Sequence, residues 1–225
     1  MTSLTVVFDL DGTLVDTAPD LIDTLNIVLA REGLPPVDYA AARNMISAGA
    51  RRMIESGLRF DGRPVSGGAL DRLFADFIAH YSAHIADRSR PFAGLDQALD
   101  ELAARDCRFA VCTNKLERLS RQLLDTLGLS RRFAAICGQD TFGIQKPDPE
   151  ILRRTIGAAG GELRRAVMVG DSGTDIAVAR AAGIPVVAVE FGYSDPPVAK
   201  LGPDRLIGHF NELTAAVLEL APDTP

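Results

Sequence analysis

Five short apolar runs recur along the chain, at Leu4 to Phe8, Phe109 to Cys112, Ala134 to Cys137, Ala166 to Val169 and Pro185 to Val189. Runs of that length without polar alternation predict strands buried on both faces. Between them, helical patterns occupy Asp96 to Ala104, Leu116 to Leu127 ending at Gly128, Pro149 to Ala158 ending near Gly160, and Ile176 to Ala182 ending at Gly183. Strand and helix in alternation predict an α/β fold with a parallel sheet and right-handed crossovers. Ligands bind such sheets outside the carboxyl ends of the strands, so the residues directly after each run are the candidate site.

One stretch breaks the rhythm. From about Asp16 to Arg88 the pattern is helical almost throughout, directly after the first strand and its turn. It predicts a smaller helical domain, 16–88, inserted into a core made of 1–15 and 89–225. Thr17 and Asp20 are spaced for a carboxylate version of the capping box ahead of Leu21, Leu25, Val28 and Leu29, and Gly33, Pro35 and Pro36 end that helix. Leu70, Leu73, Phe74, Phe77, Ile78, Tyr81 and Ile85 recur at helical spacing and read as a core-facing stripe. The two crossings, near Val15 to Thr17 and near Arg88 to Pro91, are candidate hinges.

Composition narrows the function classes. At 225 residues with 47% apolar content, a chain can bury roughly 70–75% of its unfolded surface without disulfides or a structural metal. No apolar run approaches the roughly 20 residues of a membrane span, and no basic, apolar leader precedes the first strand, so a cytoplasmic protein that does not engage membranes is expected. A net charge of −6 without a basic tract argues against nucleic acid as a partner. Cys107, Cys112 and Cys137 are scattered without metal-site spacing and read as buried thiols in a reducing compartment. Only three of the 24 basic residues are lysines, Lys115, Lys146 and Lys200.

The first run delivers Asp9-Leu10-Asp11-Gly12-Thr13, and extended geometry points Asp9 and Asp11 to one side. The pair either sits in a solvated turn or shares a crevice that needs a compensating charge. Gly12 permits a tight turn whose N–H groups could hold an anion. The fourth run leads into Gly170-Asp171-Ser172-Gly173-Thr174-Asp175, where Asp175 can cap the next helix, face the same point as Asp171, or do both. Up to four carboxylates in one crevice ask for a hard divalent cation with oxygen ligands, and Mg2+ is the usual solution. The second run ends at Thr113-Asn114-Lys115, a polar turn that also carries a hydroxyl, an amide and an ammonium. Lys146 precedes Pro147-Asp148-Pro149. A loop lysine is ordinarily solvated, but a phosphate among four acids requires a fixed positive charge.

In that order these four segments resemble the motifs of the haloacid dehalogenase superfamily of phosphotransferases, over Val6 to about Tyr193. Within it the likeness is to the bacterial phosphoglycolate phosphatase subfamily, carried by Phe8 to Leu21, Gly49 to Arg52, Thr113 to Lys115, Lys146 to Pro149 and Phe191 to Ser194. The resemblance implies a Rossmann-like core under a helical cap and a small phosphorylated substrate, in a monomer or homodimer. It also implies that Asp9 attacks phosphorus to form an aspartyl-phosphate while Asp11 acts as acid and then base. Asp9, Asp11 through its backbone carbonyl, and Asp171 would ligate Mg2+, with Asp175 orienting the shell. Thr113, Asn114 and Lys146 would hold the phosphoryl oxygens. Family dehalogenases lack an aspartate at the position of Asp11, which favours phosphoryl transfer.

Substrate choice is expected in the cap, with Arg51 and Arg52 as candidates for a glycolate carboxylate and Lys115 from the core side. Neighbouring helical arginines point apart, so at most one should reach the substrate, with a surface ion pair expected for the other. The chain departs from the subfamily at Ser47-Ala48-Gly49-Ala50, where Gly-Asn-Gly-Ala is frequent, and at Ala93, where proline is common. A sugar phosphomutase or nucleotidase of the same superfamily is the alternative enzyme, and a non-catalytic binding protein is disfavoured because every motif acid is retained. His80 and His84 have i,i+4 spacing but no glutamate between them, and are read as a solvated helix flank.

Overall fold

A computed structural model describes residues 3–46, 49–60 and 67–221. The departing pair Ser47 and Ala48 lies outside the described residues. In chain order the strands are β1 (Thr5–Phe8), β2 (Val15–Asp16), β3 (Arg90–Pro91), β4 (Arg108–Cys112), β5 (Ala135–Cys137), β6 (Ala166–Gly170), β7 (Val186–Val189) and β8 (Arg205–Ile207). Six form one parallel sheet in the order β5-β4-β1-β6-β7-β8, and β2 pairs with β3 in a small antiparallel ribbon. All five apolar runs are strands of the large sheet. Because β1 lies between β4 and β6, the three strand ends that carry Asp9, Thr113 and Asp171 are neighbours.

The helices are α1 (Ala18–Arg31), α2 (Tyr39–Arg43), α3 (Ala50–Phe60), α4 (Gly67–Ala83), α5 (Leu95–Ala103), α6 (Glu117–Thr126), α7 (Pro149–Ala158), α8 (Gly173–Ala182) and α9 (Leu213–Leu220). The first four fall between β2 and β3. Side chains alternate across β1: Val7 belongs to an apolar cluster with Ala110, Met168 and the buried faces of α7 and α8. Val6 and Phe8 belong to the other cluster, which runs on through Leu14, Leu25, Met53 and Phe77 into the helical segment.

Three local expectations are corrected. Thr17 precedes α1 without a side-chain cap. The carboxylate expected to complete its box, that of Asp20, instead accepts from Arg88 N, Ser89 N and Ser89 Oγ at 2.6–3.1 Å. Those unpaired donors of the return crossing hold it. Helix α8 begins at Gly173 rather than Ile176, because Ser172 and Asp175 form a reciprocal capping box that recruits the glycine turn. The Gly12 N–H is used inside its own turn, donating to Val15 O at 2.9 Å, so it presents no donor to an anion.

Candidate active site

Asp9, directly after β1, is anchored by its N–H to Val169 O of β6 at 2.9 Å. Asp171 follows β6, and Asp175 lies in the first turn of α8; all three are buried. Their carboxylates offer oxygens within 4.8 Å of one another. Each is held differently. Asp171 accepts from Thr13 Oγ1 at 3.0 Å and from Tyr193 N at 2.7 Å. Asp175 accepts from Ser172 N and Oγ on one oxygen and from Lys146 Nζ, at 2.6 Å, on the other. Asp9 Oδ1 stands 2.9 Å from Lys146 Nζ. That charge contact is out of hydrogen-bond alignment, so this buried oxygen has no hydrogen-bond donor.

Burial, and then the neighbouring carboxylates, push the Asp171 carboxyl up to about 8. Burial likewise raises Asp9, to about 6, against the pull of Lys146. Burial would lower Lys146, but the Asp175 and Asp9 carboxylates more than reverse this and keep its ammonium charged. Three acids around one ammonium leave an excess of negative charge. Buried carboxylate oxygens that one ammonium cannot neutralise make a donor set that fits a hard divalent cation. The Asp11 carboxylate is outside the cluster.

Glycines allow the close packing around Asp171. Gly12 has φ +82°, and a Cβ there would meet Asp171 Oδ2 at 2.5 Å and the Tyr193 ring at 2.8 Å. At Gly192 a Cβ would come within 2.1 Å of Asp171 Cβ.

Asp11 faces the other way along the crevice, where both its oxygens accept from Lys115 Nζ, at 2.9 and 3.1 Å. Thr113 is buried, and its Oγ1 accepts from Lys115 N at 3.2 Å. The Asn114 amide is spent on the backbone of Lys146, accepting from its N at 2.9 Å and donating to its O at 3.1 Å. Asn114 therefore sets where Lys146 stands. A cavity of about 550 Å³ opens over these residues and reaches the helical segment at Arg51, Arg52 and Tyr81.

Both cap arginines border the cavity. Arg51 is exposed, pairs with Asp71 and lies over the Phe74 ring. Arg52, also exposed, has no ion pair among the described residues. His80 contacts Thr24, His84 pairs with Asp87, and their rings stack with centroids 4.5 Å apart. No metal-capable group among the described residues includes them.

Two tyrosines belong to the site although sequence reasoning gave them no part in it. Tyr193 supports Asp171 through its N–H, while its hydroxyl accepts from Thr17 N and Ala18 N and donates to Asp16 at 2.6 Å. Tyr81 was part of an apolar stripe, and only its place opposite the β4 loop distinguishes it from the other members.

A haloacid dehalogenase-like hydrolase family profile matches residues 6–189. The chain is 49% identical to a phosphoglycolate phosphatase of Mesorhizobium japonicum, over 95% of this chain and 94% of that one. Against a phosphoglycolate phosphatase of Caulobacter vibrioides it is 44% identical, over 98% and 93% of the two chains. A crystal structure described as a predicted phosphoglycolate phosphatase from Haemophilus somnus superposes with a TM-score of 0.88 at 26% identity, covering 96% of this chain and 98% of that one.

Proposed function

The chain belongs to the haloacid dehalogenase-like hydrolases, and on that premise we propose that it is a Mg2+-dependent phosphoglycolate phosphatase, hydrolysing 2-phosphoglycolate to glycolate and phosphate. The observation that carries the reading is the buried Asp9, Asp171 and Asp175 cluster, with Lys146 paired to two of its members, beneath a cavity that Asp9 and Lys146 line. The substrate comes from the relatives, several of which are named phosphoglycolate phosphatase.

Asp9 is the nucleophile. One of its oxygens attacks phosphorus in line, the bond from phosphorus to the glycolate oxygen breaks, and an aspartyl-phosphate remains. Asp11, two residues on, gives its proton to the leaving glycolate oxygen. It then takes a proton from the water that attacks phosphorus, so that phosphate leaves and the Asp9 carboxylate is restored. Lys146 and the Thr113 hydroxyl stabilise charge on the phosphoryl oxygens, and Asn114 positions Lys146 through both of its peptide groups.

Asp9, Asp171 and the Asp11 backbone carbonyl would hold Mg2+, with Asp175 orienting the set. Bound there, the ion supplies positive charge that lets the buried carboxylates ionise together and draws charge from a phosphoryl oxygen. Residues 16–88 act as a cap over the cavity, turning on the β2 and β3 ribbon, and Arg52 is the cap arginine available to the substrate. The absence of a spanning helix among the described residues and three free cysteines support a reducing, cytoplasmic location.

Phosphate release from 2-phosphoglycolate, with Mg2+ and with a chelator, tests the reading. Asp9→Asn should lower turnover by roughly 10⁴-fold or more, and chelation should abolish it. Undiminished hydrolysis under both conditions would sink the assignment.

A further inference from the structure

We propose that Tyr81 and Lys115 form a subsite for a second anionic group of the substrate, its carboxylate, and that Lys115 rests on Asp11 until that group arrives. The inference deepens the phosphatase reading and rests on it.

Lys115 lies in the loop after β4, and Tyr81 reaches it from the last turns of α4, on the far side of the cavity. The Lys115 ammonium sits 4.4 Å from the centre of the Tyr81 ring, on its electron-rich face. On its other side both Asp11 oxygens accept from it. Its side chain is 6% exposed, so this ammonium is sandwiched rather than solvated.

The Tyr81 hydroxyl is the second observation. Tyr81 is fully buried, and apart from the adjoining Lys115 ammonium its Oη has no polar partner among the described residues, so its O–H donor is unused. Leaving a buried donor unused is costly, and a ligand oxygen removes the cost. A neutral donor beside a fixed ammonium, both bordering the cavity, suits a carboxylate and does not suit an apolar or cationic group.

Asp11 is the proposed acid and base, and both its oxygens are occupied by Lys115. A carboxylate arriving beside the Tyr81 hydroxyl competes with Asp11 for the ammonium. The acid and base is then released when a substrate of the right chemistry is bound. A phosphomonoester without the second anion leaves Lys115 on Asp11 and the Tyr81 O–H donor unused, so the pair discriminates in turnover as well as in binding.

The test is the ratio of kcat/KM for 2-phosphoglycolate to that for ethyl phosphate, which has the same length and no carboxylate. Tyr81→Phe keeps the ring and its packing and should lower the ratio by roughly 10-fold, as expected for one hydrogen bond to a charged group. Lys115→Met should lower it by roughly 100-fold, as expected for loss of a buried charge partner. Equal losses on both substrates, leaving the ratio unchanged while the wild-type ratio is large, would overturn the subsite and spare the phosphatase reading. A wild-type ratio near one would overturn the subsite together with the choice of substrate, while Asp9-dependent phosphate release would still stand. If Lys115→Met fails to fold, the Tyr81→Phe ratio decides.

Discussion

Asp9, Asp171 and Asp175 are buried within reach of one another, and Lys146 is the ammonium in contact with two of them. Without a further cation, protonation is the cheaper way to neutralise the remainder. Burial, reinforced by the neighbouring carboxylates, raises the Asp171 carboxyl to about 8 and that of Asp9 to about 6. Unfolded, both would titrate near 4. Between those values the folded metal-free protein holds more protons than the unfolded chain, so its stability falls as pH rises. The contribution is intact below about pH 4 and is lost as pH passes through about 6 and then about 8. In chelator, the site therefore predicts a melting temperature that declines from about pH 5 to about pH 8, apart from the background set by surface groups. Added Mg2+ should restore most at the alkaline end, where the carboxylates are free to bind it. A Mg2+-induced shift that is larger at about pH 5 than at about pH 8 would contradict this account.

At the scale of elements, the site is a meeting of loops fastened to one another. The loop after β4 is fixed to the one before α7 by Asn114, and the loop after β7 is fixed to the start of α1 by Tyr193. Tyr193→Phe would leave two N–H groups and one Asp16 oxygen without their partner. It should cost about 2 kcal/mol of unfolding free energy, read from urea denaturation, and a loss of a few tenths would deny the strut its role. Asp9 and Asp171 were legible in the sequence because each follows the end of a strand run, and a run buried on both faces makes a charged residue at its end conspicuous. The struts were not. Tyr81 shares its spacing with true core residues, and Asn114 looks like any polar turn until the Lys146 backbone lies opposite. Likewise β8 is an edge strand with exposed Arg205 and Leu206, which carries no apolar run to read. The misread Thr17 cap has the same origin, since the partner that draws Asp20 away is 68 residues on in sequence.

Across the whole molecule, the sequence suggests two units, yet one apolar cluster passes from Phe8 of β1 through Leu14 to Leu25, Met53 and Phe77 of the helical segment. Polar ties reinforce it. Asp20 holds the return crossing at Ser89, and Arg43 donates to Phe191 O at 3.0 Å while its guanidinium lies over the Tyr193 ring. A segment whose buried face is shared with the sheet cannot unfold without exposing apolar surface on the sheet, so loss of one removes stability from the other. Calorimetry should therefore show one transition in which the calorimetric and van't Hoff enthalpies agree. Mg2+ binds residues of the sheet side, and by linkage it stabilises whatever unfolds together with them. The expected outcome is that saturating Mg2+ moves the single peak as a unit. If residues 16–88 unfolded independently, an early peak would stay in place while a later one moved, and the continuity of the core would then carry no cooperative stability.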